Sequence, residues 1–350
     1  MIWTTWRQYR TTILTAVGTI LAPAVVAALS GIVVRPKSNQ SFENAFGCTP
    51  TRGVGCWAET SLTLITLLTL ALPVLVGALV GVTVFSRDIE RGTHVLGLTQ
   101  SVSRMRWYWT RIPVVFAPIV VAMTILGAVL EWTRGRSGGN YSYVSQVLFN
   151  GHSQLSYPMF QSTGLIAGAY TILGLAVGSC LALLLRNTLG AMVITLIATT
   201  AVLVGFQLGA RPHYATPRVE VQALGSNPYG AQYTSDNEAK WTIGSAYVDA
   251  NGRDVDFDYS SCTHVWNNPE WEQRPDETGA EYEERRDVVQ ATTNREFATC
   301  QRAQGIDRFE VRYHPDSLLR RFQVIEVLLA STLSALLLIP SLWAVRRLRP

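Results

Sequence analysis

Three alternating aspartates, Asp254, Asp256 and Asp258, are the first candidates for chemistry in this sequence. On a strand their carboxylates project from one face, where they could bind calcium. The spacing lacks the closing glutamate of an EF-hand loop, so we interpret this face as solvated. His264 and His314 have no recognisable catalytic spacing either. The sequence therefore predicts neither a metal site nor a catalytic residue.

The five cysteines divide into two groups by their surroundings. Cys180 lies in an apolar stretch, whereas Cys48, Cys56, Cys262 and Cys300 lie in polar segments. Thiols that can pair outside the apolar stretches indicate an oxidising exterior. Local pairing, Cys48 with Cys56 and Cys262 with Cys300, is expected, although four cysteines allow three connectivities.

The lysines exclude ATP hydrolysis by this chain. A phosphate-binding P-loop needs Gly-Lys followed by Ser or Thr, but Lys37 follows a proline, Lys240 follows an alanine, and there is no other lysine. The hydrolase signature H-E-x-x-H is also absent. We expect that the chain is not an enzyme and binds no cofactor, so that any nucleotide binds a partner.

Charge is strongly segregated along the 350 residues, of which 48% are apolar and only 15% charged. The region 209–320 holds 19 of the 25 acidic residues and 12 of the 29 basic ones. Elsewhere, six uncharged stretches are long enough to cross a bilayer of about 30 Å, which takes roughly 20 helical residues. The predicted spans are 13–34, 62–85, 112–130, 162–185, 188–208 and 322–345. The sequence thus predicts an α-helical polytopic membrane protein with six transmembrane helices.

Basic residues predict the orientation of these helices. With the amino terminus inside, the internal segments carry a net charge of +9 and the large polar region carries −7, as the positive-inside rule requires. A cleaved signal peptide is the alternative for the first span, but an apolar run of 22 residues is long for one. We expect a plasma-membrane protein with both termini in the cytoplasm. The overall charge of +4 is the sum of oppositely charged regions. It therefore predicts no nucleic-acid partner.

The polar region has the pattern of a small α/β domain. Asn251-Gly252 predicts a two-residue hairpin turn, helix formers fill 280–304 before Gly305, and the alternation at 309–313 predicts a strand. We therefore expect a small disulfide-bonded α/β extracytoplasmic domain between helices five and six. The predicted division is a transmembrane domain at 1–208, with a cytoplasmic loop at 86–111 and external loops at 35–61 and 131–161, an extracytoplasmic domain at 209–320, and the sixth helix with a basic cytoplasmic tail at 321–350.

Pairs of glycines four residues apart predict close helix packing. They are Gly77 with Gly81, Gly164 with Gly168, and Gly174 with Gly178. Such small-xxx-small pairs let two helix backbones approach each other. Packing within the chain is the simpler explanation, and an interface between subunits is the alternative.

The predicted spans are almost free of ionisable residues. Five contain none, and the sixth contains only Glu326. Ion-coupled carriers, voltage sensors and intramembrane hydrolases depend on such groups inside the bilayer. Their absence argues against these classes and favours a separate ATPase as the source of work.

The internal loop between the second and third spans carries the most specific pattern. It contains an acidic-basic pair before Gly92-Thr93, then Thr-Gln-Ser-Val-Ser-Arg at 99–104, then a basic-aromatic entry to the next span. This loop resembles the coupling region of ATP-binding-cassette (ABC) type-2 transporter permeases. The chain is particularly similar to their actinobacterial branch, whose members typically begin with a motif like Trp6-Arg7-Gln8. The entry to the last span through Gln323 and Glu326, and the terminal arginines, also match that branch.

The resemblance implies that the loop binds an ABC ATPase. The residues assigned to this contact are Glu90, Arg91, Gly92, Thr93, Gln100, Ser103 and Arg104. Anchoring at the cytoplasmic interface also explains the basic and aromatic residues from Arg104 to Arg111. The family architecture further implies two ATPase copies, with ATP and Mg in those partners, and a second permease subunit that is identical or homologous.

These observations predict the permease subunit of an ATP-driven exporter. Uncharged walls favour an amphipathic or lipophilic cargo, such as an antibiotic, a drug, a lipid or a hydrophobic peptide, in an apolar cleft between subunits. The alternative is a mechanotransmission or signalling protein that an ABC ATPase drives without moving cargo.

Overall fold

A computed structural model of the chain describes residues 2–34, 53–90, 103–134, 153–225, 239–267 and 269–347. The chain divides into two compact units. The first, called the helical unit below, comprises Met1–Tyr214 and Ser317–Pro350, and the second comprises Ala215–Asp316. The second unit is narrower than the predicted domain at 209–320, because residues at both ends of that region belong to the helical unit.

Within the described ranges, six helices of the helical unit are long and apolar enough to cross a membrane, which confirms the predicted six spans. The helices are α1 (Ile2–Val34), α2 (Gly53–Val76, the π-helical turn Gly77–Gly81, and Val82–Glu90), α3 (Arg104–Arg134), α4 (Gly164–Leu185), α5 (Thr188–Gly205, continued by the π-helical turn Phe206–Ala210), and the last span, α7 (Leu319–Arg346). Most of them extend beyond the uncharged stretches and therefore include ionisable residues at their ends.

Glycines bring α2 and α4 into backbone contact. A methyl group at Gly77 would lie 2.5 Å from the carbonyl oxygen of Gly174, and one at Gly81 would lie 2.9 Å from that of Leu175. Across α3 and α4, a methyl group at Gly127 would lie 2.7 Å from the Cα of Gly164. The small-xxx-small pairs therefore pack within the chain, where they allow α4 to lie at the centre of the bundle.

Gly178→Leu should lower the free energy of unfolding of the helical unit by about 1–3 kcal/mol, the usual cost of overpacking. The new side chain would clash with the backbone of Gly77, which cannot turn away as a flexible side chain could. Unfolding of the purified chain in detergent measures the change. Gly18→Leu is the control, since nothing lies within 4 Å of a methyl group there. Equal unfolding midpoints for the two variants would show that the α2–α4 contact is loose.

The second unit is a four-stranded antiparallel sheet with one long helix. The strands are β1 (Arg218–Gln222), β2 (Lys240–Val248), β3 (Asp254–Val255) and β4 (Arg308–Pro315), in the sheet order β1-β4-β2-β3, and the helix is α6 (Gly279–Ala303). The predicted hairpin, helix and last strand are confirmed. The hairpin turn is not the predicted two-residue turn, because Asn251 lacks the positive φ that such a turn requires, and the Gly252 N–H donates to the Asp249 carbonyl. β1 was not predicted.

A disulfide and aromatic rings hold α6 to the sheet. Cys262 and Cys300 are bonded, as predicted, with their Cα atoms 5.9 Å apart. Phe297 of α6 packs against Phe257, whose ring in turn lies 4.7 Å from that of Tyr247 on β2. The second unit therefore has its own small core.

An ion pair between Arg285 of α6 and Glu277, just before that helix, should make the second unit sensitive to acid. Arg285 donates two hydrogen bonds of 2.7 Å to the Glu277 carboxylate, which lowers the pKa of Glu277 from 4.5 to about 2. Because the folded pKa lies below the unfolded one, this stabilisation is complete above about pH 4.5 and disappears as the pH falls towards 2.

Hydrogen exchange of α6 amides in the full chain measures this effect. Exchange should accelerate between pH 4.5 and 2 after correction for the intrinsic rate, and Glu277→Gln should weaken that dependence. Glu283→Gln, at an exposed position of the same helix, is the control. An unchanged profile for Glu277→Gln would contradict the assignment.

Candidate functional site

The end of the bundle next to residues 91–102, called the loop end below, contains a buried ion pair. Arg111 Nη1 of α3 lies 2.5 Å from Asp88 Oδ2 of α2, and both residues are buried. The same nitrogen donates to the Tyr9 hydroxyl of α1 at 2.9 Å and to the Val84 carbonyl at 3.1 Å. The guanidinium also lies 4.2 Å from the centre of the Trp107 ring. Arg111 thus joins three helices at one point.

Glu90, the last residue of α2, contacts the first residue of α5. Its Oε1 accepts the backbone N–H of Thr188 at 2.7 Å. The side chain of Asn187 accepts the N–H of Gly190 at 3.0 Å and so caps the same helix. A carboxylate at a helix amino terminus is favoured by the helix dipole. The segment before 91–102 is therefore connected to α5.

Arg104, the first residue of α3, contacts the end of α7. Its Nη1 donates to the Arg346 carbonyl at 2.7 Å, which satisfies one of the unpaired carbonyls that end a helix. Ser103 Oγ accepts the N–H of Arg106 at 3.2 Å and caps α3. The two sides of 91–102 are thus each hydrogen-bonded to a helix distant in sequence.

The opposite end of the bundle holds a second buried ion pair. Arg211, just after α5, forms a two-point contact with Glu326 of α7, with nitrogen-oxygen distances of 2.8 and 3.1 Å. The Tyr170 hydroxyl of α4 donates to the same carboxylate. The Arg211 guanidinium lies 4.1 Å from the centre of the Phe160 ring. The side chains of Arg211 and Glu326 are 1% and 0% exposed, so their charges are compensated by one another rather than by solvent.

Between the two ends, α2, α4 and α5 enclose a cleft of about 460 Å³. Its walls are mainly leucine, valine and alanine side chains of α2 and α5. Four larger polar residues also line it: Tyr157, Gln161, Tyr170 and Gln207. None of the described lining residues is charged.

A match to a family model identifies the family of this chain. Residues 11–211, more than half of the chain, match the model described as ABC-2 membrane transporter related. The chain belongs to this family. The match runs from within α1 to the end of α5 and includes both flanks of the loop. It confirms the resemblance to ABC type-2 permeases. No curated protein and no solved structure matches the chain.

Membership in the ABC-2 family implies a membrane context and an ABC ATPase as partner. Permeases of this family are typically non-catalytic, and the ATPase lies in the partner. The six apolar helices agree with a multi-pass membrane protein. The likeness to the actinobacterial branch stays a prediction.

The predicted site residues lie in different parts of the chain. Glu90, Ser103 and Arg104 lie at the loop end, in contacts that connect the loop to other helices. Outside the described residues lie Arg91, Gly92, Thr93, Gln100 and Cys48. Cys56 is disulfide-bonded, and Cys180 is free and buried. Of the last-span pair, Glu326 binds Arg211, whereas Gln323 is buried on α7.

Sequence reasoning missed the two buried ion pairs. Asp88 and Arg111 were counted only in the internal charge that predicts the orientation. Arg211 lies in the predicted extracytoplasmic domain at 209–320. The Trp-Arg-Gln motif was the one sequence signal near the first pair, because Gln8 Nε2 donates to Asp88 Oδ1 at 3.4 Å. The motif therefore contributes directly to the packing of the loop end.

Proposed function

We propose that this chain is the permease subunit of an ATP-driven ABC exporter. A separate ABC ATPase powers it, and it moves an amphipathic or lipophilic compound out of the cell, of the kind represented by antibiotics, drugs, lipids and hydrophobic peptides. Family membership supports the permease role, and the uncharged cleft supports the cargo class. Multidrug or antibiotic resistance is the biological role that this cargo class suggests.

The proposed mechanism depends on the hydrogen bonds that Glu90 and Arg104 make on the two sides of residues 91–102. In the proposal, two ATPase copies bind this loop on two permease subunits, identical or homologous, and ATP binding draws the ATPases together. Glu90 transmits the displacement to α5 through Thr188, and Arg104 transmits it to α7 through Arg346. In the proposal, a displacement of the loop therefore shifts helices that line or adjoin the cleft.

The proposed orientation places both termini and the loop in the cytoplasm. The charge distribution along the chain supports it. The second unit then lies outside the cell, and its disulfide suits an oxidising exterior. In that position it can gate the exit of the cleft or bind the released compound.

Transport by inverted vesicles tests the proposal. The chain is reconstituted with its ABC ATPase, and ATP-dependent accumulation of the uncharged lipophilic dye Nile red is followed together with ATP turnover. Glu90→Ala should lower the dye moved per ATP by roughly tenfold, an ordinary allosteric coupling, because it removes the acceptor for the Thr188 N–H. Glu90→Gln keeps an acceptor oxygen and should retain most of the coupling.

Two results would count against the proposal. ATP turnover that depends on the permease but moves no compound would favour mechanotransmission without cargo. Unchanged dye transport by Glu90→Ala would show that the contact with α5 does not convey the movement of the loop.

A further inference from the structure

β1 is an edge strand of the sheet in the second unit. Among the described strands, the sheet order β1-β4-β2-β3 makes β1 and β3 the two edges. β3 has only two residues and begins with Asp254, and a very short, charged edge resists pairing with another chain. β1 has five residues, Arg218–Gln222, and its outer side presents backbone N–H and C=O groups that no described strand pairs. An edge of this length can accept a further strand.

Successive side chains of β1 point to opposite faces of the sheet. Glu220 is in register with Val311 of β4, which is buried, so Glu220 lies on the face of the core. Val219 and Val221 therefore lie on the opposite face, called the open face below, where they are 54% and 58% exposed. Edge strands are commonly protected by a lysine, a proline or a bulge, and none of these occurs within β1. The strand is therefore regular and apolar enough to pair.

The two charged residues of β1 are available to a second chain. Arg218 is exposed and forms no ion pair with any residue that the structure describes. Lys240 Nζ donates to Glu220 Oε2 at 2.8 Å, and the Glu220 side chain is still 27% exposed. An inward-pointing charge normally discourages edge pairing, but Lys240 compensates this one. The second carboxylate oxygen of Glu220 can accept a further donor.

β1 is self-complementary in one antiparallel register. With Val219 opposite Val219 of a second copy, the twofold axis places Arg218 opposite Glu220 on both sides. Oppositely charged residues at directly opposed positions stabilise a sheet. An axis at Glu220 would instead oppose two carboxylates, and an axis at Val221 would leave Arg218 without a strand residue opposite it. The charges therefore favour a second copy of this strand, in this register.

We propose that two copies of this chain pair through β1 and join their sheets into one continuous antiparallel sheet. Each copy contributes one Arg218 and one Glu220 to the two ion pairs, and the valines of both copies meet on the open face. The contact assigns identical copies, rather than homologues, as the two permease subunits. That both copies belong to one exporter rests on the proposed function, whereas the pairing itself needs neither ATP nor an ATPase.

Disulfide formation between introduced cysteines tests the pairing and its register. The full chain carrying Val219→Cys is oxidised with copper-phenanthroline in phosphatidylcholine vesicles, without ATPase. On the twofold axis the two Cβ atoms should lie about 4.5–5.5 Å apart, close to the geometry of a disulfide. Val221→Cys is the matched control, since its exposure is similar but its two copies would lie roughly 14 Å apart along the strands. Val219→Cys should cross-link several-fold more than Val221→Cys and than the parent chain, whose native cysteines set the background.

Charge reversal tests the two ion pairs. In the Val219→Cys chain, Arg218→Glu places a carboxylate opposite Glu220 at both symmetric positions and should lower the cross-linked fraction by roughly fivefold. Arg312→Glu is the control, because Arg312 is an exposed residue of β4, one strand further from the edge. It reverses the same charge in the same sheet and should leave the cross-linked fraction unchanged.

Three outcomes would overturn the pairing. They are cross-linking at position 221 that equals or exceeds that at 219, no cross-linking at 219 above the parent chain, and an unchanged cross-linked fraction in Arg218→Glu. All the substituted residues are exposed, so these outcomes do not depend on a disrupted core. Selective cross-linking at Val219 without ATP-driven dye transport would retain the pairing and refute only the export function. Dye transport without selective cross-linking would do the reverse.

Discussion

Arg211→Ala should lower the free energy of unfolding of the helical unit by about 3–5 kcal/mol, the usual cost of removing one partner from a buried ion pair. The substitution leaves the Glu326 carboxylate in a site where its side chain is 0% exposed. The Tyr170 hydroxyl still donates to that carboxylate, but one neutral donor does not compensate a buried charge. Unfolding of the purified chain in detergent measures the loss.

An exposed ion pair of the same unit provides the control for Arg211. Arg320 lies 3.7 Å from Glu131 and its side chain is 77% exposed, so Arg320→Ala should change the stability by no more than about 1 kcal/mol. The double variant Arg211→Met with Glu326→Leu removes both charges and should recover most of the loss. Similar effects of Arg211→Ala and Arg320→Ala would mean that solvent reaches the Glu326 carboxylate.

The sequence predicted the elements that depend on local pattern. Apolar runs gave six spans because a helix in hydrocarbon must satisfy its own backbone and present apolar side chains. In the second unit, Asn251-Gly252 located the β2–β3 hairpin, and Gly252 has the positive φ of 78° that the turn requires. Alternation located β4, whose Phe309, Val311 and Tyr313 are buried. Each of these signals comes from residues close together in the chain.

The sequence did not predict how the charged residues near the helix ends pair. A charge-free window ends at the first ionisable residue, although a charge can lie within a helix if a distant residue compensates it. Arg211 and Glu326 are 115 residues apart, and Asp88 and Arg111 belong to different predicted elements. Their pairing depends on the tertiary arrangement of helices, which no local pattern contains. For the same reason the cleft within the chain was not predicted.

Arg111→Ala should lower both the stability of the helical unit and its coupling to the ATPase. The stability loss should be about 3–5 kcal/mol, since the buried Asp88 carboxylate loses the guanidinium of Arg111. The coupling loss follows because Arg111 is also bonded to Tyr9 of α1 and to the Val84 carbonyl of α2. Arg111→Lys keeps the charge without the planar fork and should be intermediate in both respects. Detergent unfolding and the amount of dye moved per ATP measure the two effects.

The double variant Asp88→Leu with Arg111→Met separates these effects. It contains no unpaired buried charge and should regain most of the stability, yet it still lacks the connection from α3 to Tyr9 and should remain poorly coupled. Arg106→Ala, at an exposed position of the same helix, controls for the loss of one positive charge at the loop end. If the double variant regained dye transport as well as stability, Arg111 would act only as the counter-ion of Asp88. If stability alone returned, the junction of α1, α2 and α3 would be part of the path from the ATPase to the cleft.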